Sequence, residues 1–203
     1  MSIYELKPRF QALLRPAVRG LFALGVTANQ VTLAACAISV GLGLLLFFRP
    51  EPAMFALIPA WMLLRMAFNA IDGMLAVEFG QRSKLGLYFN ELTDVVSDAA
   101  LYLPFAALAS FSAFWVGVVI VLAGVCEYAG ALGVSVGATR RYDGPMGKSD
   151  RAFVFGALGL WVALVEVPAT IALAILVALA LLIAFTTLRR VRAGLLASEQ
   201  PRP

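Results

Sequence analysis

The stretch NAIDGMLAVEFGQRSKLGLYFNELTD, residues 69–94, places carboxylate and amide side chains inside two strongly apolar segments. Ionised groups are costly within a bilayer, so an intramembrane carboxylate is by default a candidate functional residue. Side chains three or four positions apart share one face of a helix. The residues that share a face are Asn69, Asp72, Gly73 and Ala76 in the first segment, and Gly86, Asn90 and Asp94 in the second. Two adjacent helices can therefore direct these oxygen atoms towards one point.

The composition predicts an all-α, polytopic membrane protein. The 203 residues are 62% hydrophobic and 14% charged, and their mean hydropathy is +0.89. Apolar runs of about 20 residues can each cross a bilayer, so we predict six transmembrane helices. The runs lie near 31–48, 53–77, 86–110, 112–138, 152–168 and 170–188. We expect residues 1–26 to form an amphipathic juxtamembrane helix at the membrane surface, with an unstructured tail as the alternative, 27–195 to form the transmembrane domain and 196–203 a C-terminal tail.

The net charge of +4 reflects membrane topology and does not indicate a nucleic-acid partner, because the cations are separated by the apolar runs. They cluster on alternate sides, which is the positive-inside pattern. The pattern predicts a multi-pass protein of the cytoplasmic (inner) membrane, with both termini and the two basic loops in the cytoplasm. The clustered cations are Lys7, Arg9, Arg15 and Arg19; Arg82 and Lys84; Arg140, Arg141, Lys148 and Arg151; and Arg189, Arg190 and Arg192.

The available side chains limit the chemistry to oxygen ligands. The chain has no histidine, and Cys36 and Cys126 lie in separate apolar runs without ligand-like spacing. This excludes the usual imidazole proton shuttle and makes redox chemistry or a disulfide framework unexpected. Hard oxygen ligands favour Mg²⁺, Mn²⁺ or Ca²⁺, and such ions commonly hold phosphate oxygens as well. Gly73, Ala76 and Gly86 leave room for a bulky ligand against the backbone.

The whole stretch resembles the signature of the CDP-alcohol phosphotransferases, D-x-x-D-G-x-x-A-R-x8-G-x3-D-x3-D, without a gap. The segment from Thr27 to Thr32 and the predicted six-helix layout are also similar to that family. The resemblance implies transfer of a phosphatidyl group from a CDP-linked lipid, usually CDP-diacylglycerol, to a polar alcohol, with release of CMP. It implies Mg²⁺ or Mn²⁺, with two ions as one option, a membrane-embedded homodimer, an active site on the cytoplasmic side and a role in phospholipid biosynthesis.

Carried over by position, the resemblance makes Asp94 the catalytic base and Asp72, Asn69, Asn90 and Asp94 the metal ligands. It assigns nucleotide and diphosphate binding to residues in the segments before and after Asp72. It assigns binding of the acceptor or its phosphate to the second basic loop, residues 139–151. The first group is Asn29, Thr32, Gly73, Ala76, Arg82 and Gly86, and the second is Arg140, Arg141, Lys148 and Arg151. Asn29 and Thr32 have an alternative role as caps of the first membrane helix.

Three positions depart from the signature. Asn69 and Asn90 replace aspartates, and Val77 replaces the arginine. An asparagine still offers a carbonyl oxygen, but two negative charges are lost. Glu91 and Asp98 are candidate substitutes for the missing carboxylates because they share a helical face with Asp94. Arg82, Arg140 and Arg151 are candidate replacements for the missing arginine.

Two other functions remain open on the sequence. Arg65, Asp98 and Glu127 lie at comparable depth, and a structural ion cluster is the first interpretation because buried charges of opposite sign pair. The same three residues would serve an ion or proton carrier. The losses at positions 69, 77 and 90 instead fit a family member that binds CDP-lipid with impaired catalysis.

Overall fold

The computed structural model describes residues 3–198, with side chains from residue 10, and this part of the chain contains helices and no strands. Residues 199–203 of the predicted C-terminal tail, and the side chains of Lys7 and Arg9, lie outside the described part. The helices are α1 (Ile3–Ala23), α2 (Ala28–Phe48), α3 (Leu57–Glu78), α4 (Lys84–Tyr102), α5 (Ala113–Leu132), α6 (Lys148–Leu164) and α7 (Ala169–Ser198). Short 3-10 helices at Pro52–Ala56 and Leu103–Ala107 lead into α3 and follow α4.

Four segments are long and apolar enough to cross a membrane: Ala28–Phe48, Pro52–Glu78, Ala113–Leu132 and Ala169–Ser198. They correspond to the first, second, fourth and sixth predicted spans. The third, α4, carries Glu91, Asp94 and Asp98, and the fifth, α6, has only 17 residues. The all-helical membrane fold is therefore confirmed, while the six-span arrangement stays a prediction.

Three predicted boundaries were wrong, the first of them at 86–110, where α4 ends at Tyr102 and a 3-10 helix follows. The run 112–138 does not stay helical: α5 ends at Leu132, and the chain then turns through Gly137, whose φ of 89° suits glycine. The run 170–188 was too short, because α7 continues through Arg189 and Arg190 to Ser198. Arg190 explains the extension, since its buried guanidinium donates to the carbonyl oxygen of Cys126 on α5 at 2.7 Å.

Local hydrogen bonds fix the two helix starts that frame the motif. Thr27 begins α2 with a capping box: its Oγ1 accepts from the amide of Gln30 at 3.2 Å, and its own amide donates to Gln30 Oε1 at 2.8 Å. Ser83 begins α4, where its Oγ accepts from the amide of Gly86 at 2.9 Å. Asn29 and Thr32 are therefore not the caps of α2, and both side chains are available for another role.

Close packing holds α2, α3 and α4 together around the motif. Gly43 of α2 lies directly against Ala100 of α4, where a Cβ would collide with the Ala100 carbonyl oxygen. Small residues at such positions let membrane helices approach closely. At the other end of the bundle, Val18 of α1 packs on Met74 and Leu75 of α3. Both α3 and α4 pack on α2, and the loop 79–83 joins them.

Candidate active site

Asp72 is the carboxylate at the centre of the motif, and it is buried where α3 faces α2. Thr32 of α2 donates from Oγ1 to Asp72 Oδ2 at 2.7 Å. No cation among residues 3–198 forms a salt bridge with Asp72, although Asp94 and Lys148 lie within electrostatic range of it. A buried carboxylate whose one strong partner is a neutral hydroxyl favours a cationic ligand.

A groove of about 590 Å³ opens beside Asp72, between α2, α3 and the start of α4, and we call it the Asp72 groove. Every residue predicted for nucleotide or diphosphate binding lines it, together with the predicted ligand Asn90. The lining residues used below are Asn29, Thr32, Asp72, Gly73, Ala76, Val77, Arg82, Lys84, Gly86 and Asn90. A Cβ at Gly73 would meet nothing within 4 Å, whereas one at Gly86 would lie 2.7 Å from Asn29 Oδ1. Gly73 thus keeps the groove open, and Gly86 lets α4 approach α2 at its edge.

The Asp72 groove carries unpaired positive charge. Arg82 and Lys84 line it, and within the described residues neither forms a salt bridge. Val77 lines the same groove at the signature's arginine position, while Arg140 and Arg151 do not reach it. Arg82 is thus the only one of the three candidate replacements found there. Lys84 was missed as a site residue, although its two-residue spacing from Arg82 in a short loop was a usable signal.

Asp94 projects from α4 towards α3 and α6, and both of its carboxylate oxygens are engaged by cations. Lys148 Nζ contacts Oδ2 at 2.5 Å, and Arg65 Nη2 donates to Oδ1 at 3.2 Å. Neither cation lies within a turn of Asp94 along its own helix, so the sequence did not reveal the contacts. Asp94 therefore lies next to Lys148, which lines a second groove.

This second groove, the α3–α6 groove, has a volume of about 680 Å³ and is mostly apolar. Its polar end is formed by Arg65, Asn69, Lys148 and Ser149. Its remaining wall consists of Pro59, Met62, Leu63, Met66, Ala152, Phe153, Gly156, Ala157 and Leu160. Asn69 thus lies on this side of α3, while Asp72, three residues later, lines the Asp72 groove. The two grooves flank the same segment of α3.

A network of buried ion pairs lies beneath Asp94. Asp98 accepts from Arg65 Nη1 at 2.6 Å and from Arg151 Nη2 at 3.3 Å. Arg151 also donates to Glu127 Oε1 at 2.9 Å, so Arg65, Asp98 and Glu127 are joined through Arg151. The network supports the structural-cluster interpretation of these three residues. Asp98 lines neither groove, which favours a structural role over the predicted role as a substitute metal ligand.

The second basic loop is fully paired with carboxylates. Arg140 Nη2 donates to Glu91 Oε2 at 2.7 Å and to Glu127 Oε2 at 3.2 Å. Arg141 is bound to Asp143 at 2.9 and 3.0 Å, and this contact holds the pKa of the Asp143 carboxyl below its usual range. Glu91, the other predicted substitute ligand, is thus engaged by Arg140 and does not line the Asp72 groove.

Two oxygen donors that line the Asp72 groove fit a divalent cation. Asp72 and the amide oxygen of Asn90 line one groove and are hard ligands of the kind that Mg²⁺ and Mn²⁺ prefer. Asp94, in contrast, is already neutralised by Lys148 and Arg65. Within residues 3–198, no three acidic, histidine or cysteine side chains are grouped closely enough to form a metal site on their own. A metal ion bound here would therefore depend on oxygen atoms of its substrate.

Comparison with known proteins agrees with this fold and with the family that the motif resembles. The family model for CDP-alcohol phosphatidyltransferase matches residues 25–188. The inner membrane protein YnbA of Escherichia coli is 47% identical over 164 residues, which cover 81% of this chain and 82% of YnbA. The phosphatidylinositol phosphate synthase of Corynebacterium glutamicum is 30% identical over 102 residues, which cover 50% of this chain and 45% of the synthase.

Solved structures share the architecture at lower sequence identity. Mycobacterium tuberculosis phosphatidylinositol phosphate synthase with CDP-DAG bound superposes with a TM-score of 0.76 at 21% identity, covering 93% of this chain and 97% of the other. The same enzyme in complex with manganese and citrate gives a TM-score of 0.75 at 21% identity, covering 93% and 92%. At 21% identity the structural similarity shows the fold alone. The family relationship rests on the family model.

Proposed function

The chain belongs to the CDP-alcohol phosphatidyltransferase family, and from that premise we propose that it transfers the phosphatidyl group of CDP-diacylglycerol to a polar alcohol and releases CMP. The observation that carries the proposal is the Asp72 groove, which Asp72, Arg82 and Lys84 line without forming a salt bridge within residues 3–198. Bound CDP-DAG in the Mycobacterium tuberculosis structure supports the choice of donor.

The charges of the Asp72 groove suit a diphosphate. Arg82 and Lys84 offer positive charge to phosphate oxygens, and the open backbone at Gly73 provides space beside them. A divalent ion held by Asp72 and Asn90 would supply Lewis-acid charge to the diphosphate. The manganese-bound synthase structure supports a divalent ion. Asn69 lines the α3–α6 groove, on the opposite side of α3, so it would not share a groove with an ion held by Asp72 and Asn90.

Asp94 is placed to accept the proton of the acceptor hydroxyl. The acceptor oxygen forms a bond to the phosphatidyl phosphorus, the bond from that phosphorus to CMP breaks, and the hydroxyl proton passes to Asp94. The hydroxyl must exchange with Lys148 at Asp94 Oδ2, because the ammonium group occupies that oxygen. Lys148 remains nearby to offset charge that develops on the phosphoryl oxygens. Arg65 holds the other oxygen and keeps the carboxylate oriented.

The α3–α6 groove suits the apolar part of the lipid donor. Its wall is apolar along α3 and α6, and its polar end lies at Lys148 and Asn69, close to Asp94. A lipid with its diphosphate in the Asp72 groove would extend an acyl chain past Lys148 and along Phe153 and Leu160. This arrangement places the phosphatidyl group next to the proposed base.

The positive-inside pattern supports six spans in an inner membrane, with both termini and the site facing the cytoplasm. In this arrangement α4 and α6 complete the six spans, and α1 lies at the surface, tied to the end of α3 by Arg15, whose Nη2 lies 3.0 Å from Glu78 Oε1. The printed name of YnbA, an inner membrane protein, supports this location. We also propose a homodimer, as the family resemblance implies.

The test is release of CMP by the purified, detergent-solubilised protein from CDP-diacylglycerol, with candidate alcohols and Mg²⁺ or Mn²⁺. We expect CMP release that requires both the metal and an acceptor, and that falls strongly in Asp94→Asn. Absence of CMP with every acceptor, together with tight binding of CDP-diacylglycerol, would instead support the catalytically impaired member that Asn69, Asn90 and Val77 suggest. The network that joins Arg65, Asp98 and Glu127 gives no separate support to an ion carrier.

A further inference from the structure

Three arginines converge on the carboxylate of Glu127. Arg151 Nη2 lies 2.9 Å from Oε1, Arg190 Nη1 lies 3.3 Å from the same oxygen, and Arg140 Nη2 lies 3.2 Å from Oε2. The Glu127 side chain is only 8% exposed. Several guanidinium groups around one anionic centre form the arrangement with which proteins bind a phosphate group. In this chain, a carboxylate of the protein occupies that centre.

Arg65, Arg141 and Lys148, which lie near this cluster, are paired with carboxylates as well. Six basic residues here each lie within 3.3 Å of a carboxylate, and five carboxylates serve them, which leaves a surplus of one positive charge. The cations are Arg65, Arg140, Arg141, Lys148, Arg151 and Arg190, and the carboxylates are Glu91, Asp94, Asp98, Glu127 and Asp143. A phosphomonoester brings a charge of about −1.5 to −2, which this surplus does not match.

The Asp72 groove shows the opposite balance. Arg82 and Lys84 line it without a salt bridge in the part of the chain that the structure describes. Positive charge is therefore available where the donor's diphosphate is proposed to bind, and it is cancelled on the Asp94 and Lys148 side where the acceptor must approach. The side that binds the donor therefore has free positive charge for an anionic group, and the side that the acceptor approaches does not.

We propose that the acceptor is an alcohol without a phosphate group, and that Glu127 excludes phosphorylated alcohols by occupying the centre of the arginine cluster. This inference rests on the proposed function and specifies the substrate class of the same site. A phosphate that approaches Arg140 or Arg151 meets the Glu127 carboxylate, and like charges side by side disfavour a partner strongly. A neutral or zwitterionic alcohol encounters no such repulsion.

The first test compares matched pairs of acceptors in the CMP-release assay: glycerol with sn-glycerol 3-phosphate, myo-inositol with its 1-phosphate, and serine with phosphoserine. We expect the unphosphorylated member of the productive pair to be preferred by about 100-fold or more, because like-charge contacts carry a cost of that order. Equal or faster CMP release with the phosphorylated member would overturn the proposal.

The second test measures binding and does not depend on turnover. Titration calorimetry with sn-glycerol 3-phosphate, in the presence of saturating CDP to fill the Asp72 groove, should show no saturable binding to the wild-type protein at millimolar concentrations. Saturable binding there would overturn the proposal even if no acceptor released CMP. A failure of CMP release with all acceptors would count against the proposed function alone.

The Glu127→Gln variant tests the role assigned to the carboxylate. Removing its charge leaves Arg190 without a salt bridge among residues 3–198, while Arg140 keeps Glu91 and Arg151 keeps Asp98. The cluster then carries one more unbalanced positive charge, so this variant should acquire saturable binding of sn-glycerol 3-phosphate. Asp143→Asn is the matched control, because it frees Arg141 outside the cluster and should acquire none. A folded Glu127→Gln protein without binding would refute the role of Glu127, and if this variant does not fold, the wild-type titration decides.

Discussion

Replacing Asp98 with asparagine distinguishes a structural carboxylate from a metal ligand. The side chain is 5% exposed, and its two oxygens accept from Arg65 at 2.6 Å and from Arg151 at 3.3 Å. Breaking a buried ion pair costs about 3–5 kcal/mol. Arg65 keeps Asp94 and Arg151 keeps Glu127 as second partners, so we expect the lower end of that range, about 3 kcal/mol in the free energy of unfolding.

The assay is thermal unfolding of the purified protein in detergent, with EDTA or with Mn²⁺. For a chain of this length, 1 kcal/mol shifts Tm by about 2–4 °C, so Asp98→Asn should lower Tm by about 6–12 °C. The loss should be equal in EDTA and in Mn²⁺, because the partners of Asp98 are arginines. Asp143→Asn is the control: its pair with Arg141 is partly exposed and should contribute about 1 kcal/mol.

A different pattern would refute this reasoning. If Asp98→Asn matched the wild type in EDTA and fell behind it only with Mn²⁺, Asp98 would be a metal ligand. An unchanged Tm in both conditions would mean that the network contributes no stability.

Three further predictions concern the motif and its packing. Asp72→Asn should lower CMP release by about 100-fold or more, since a group that stabilises transition-state charge is typically worth that much, and should abolish the rise in Tm with Mn²⁺; full activity would remove Asp72 from the site. Thr32→Val should lower CMP release by about 10–100-fold through loss of the charged hydrogen bond to Asp72, and an unchanged rate would show that this bond is dispensable. Gly43→Leu should destabilise the fold by about 1–3 kcal/mol or more, because any side chain collides with Ala100, and the thermal unfolding assay should show no loss in the matched Gly41→Leu variant, whose site is open.

Several site contacts could be predicted from the family resemblance together with helical spacing. Asn29, Thr32 and Gly73 were assigned to nucleotide binding, and they line the same groove as Asp72. The periodicity of a helix fixes which side chains share a face. The contact of α2 with both α3 and α4 is a property of the fold. The spacing placed Asn69 on this face too, but Asn69 lines the α3–α6 groove. A helical face about 100° wide can border two grooves, and spacing does not say which one each edge residue meets.

The ion pairs could not be predicted in the same way. Lys148 lies 54 residues after Asp94, and Arg190 lies 63 residues after Glu127, so no local pattern connects them. Basic residues in a cytoplasmic loop satisfy the positive-inside pattern whether or not a carboxylate faces them. The sequence therefore suggested phosphate binding by Arg140 and Arg151, whereas the fold pairs both with Glu127.

The order of residues by itself determined the membrane class, the helical faces and the family signature, because hydropathy and periodicity are properties of neighbouring positions. The tertiary structure decided which charges remain free. It leaves Arg82 and Lys84 beside Asp72 without a salt bridge in the described chain, and it brings carboxylates from α4 and α5 to the arginines of the second basic loop, α6 and α7. Charge neutralisation depends on distances between segments remote in the sequence, and only packing of the helices sets those distances.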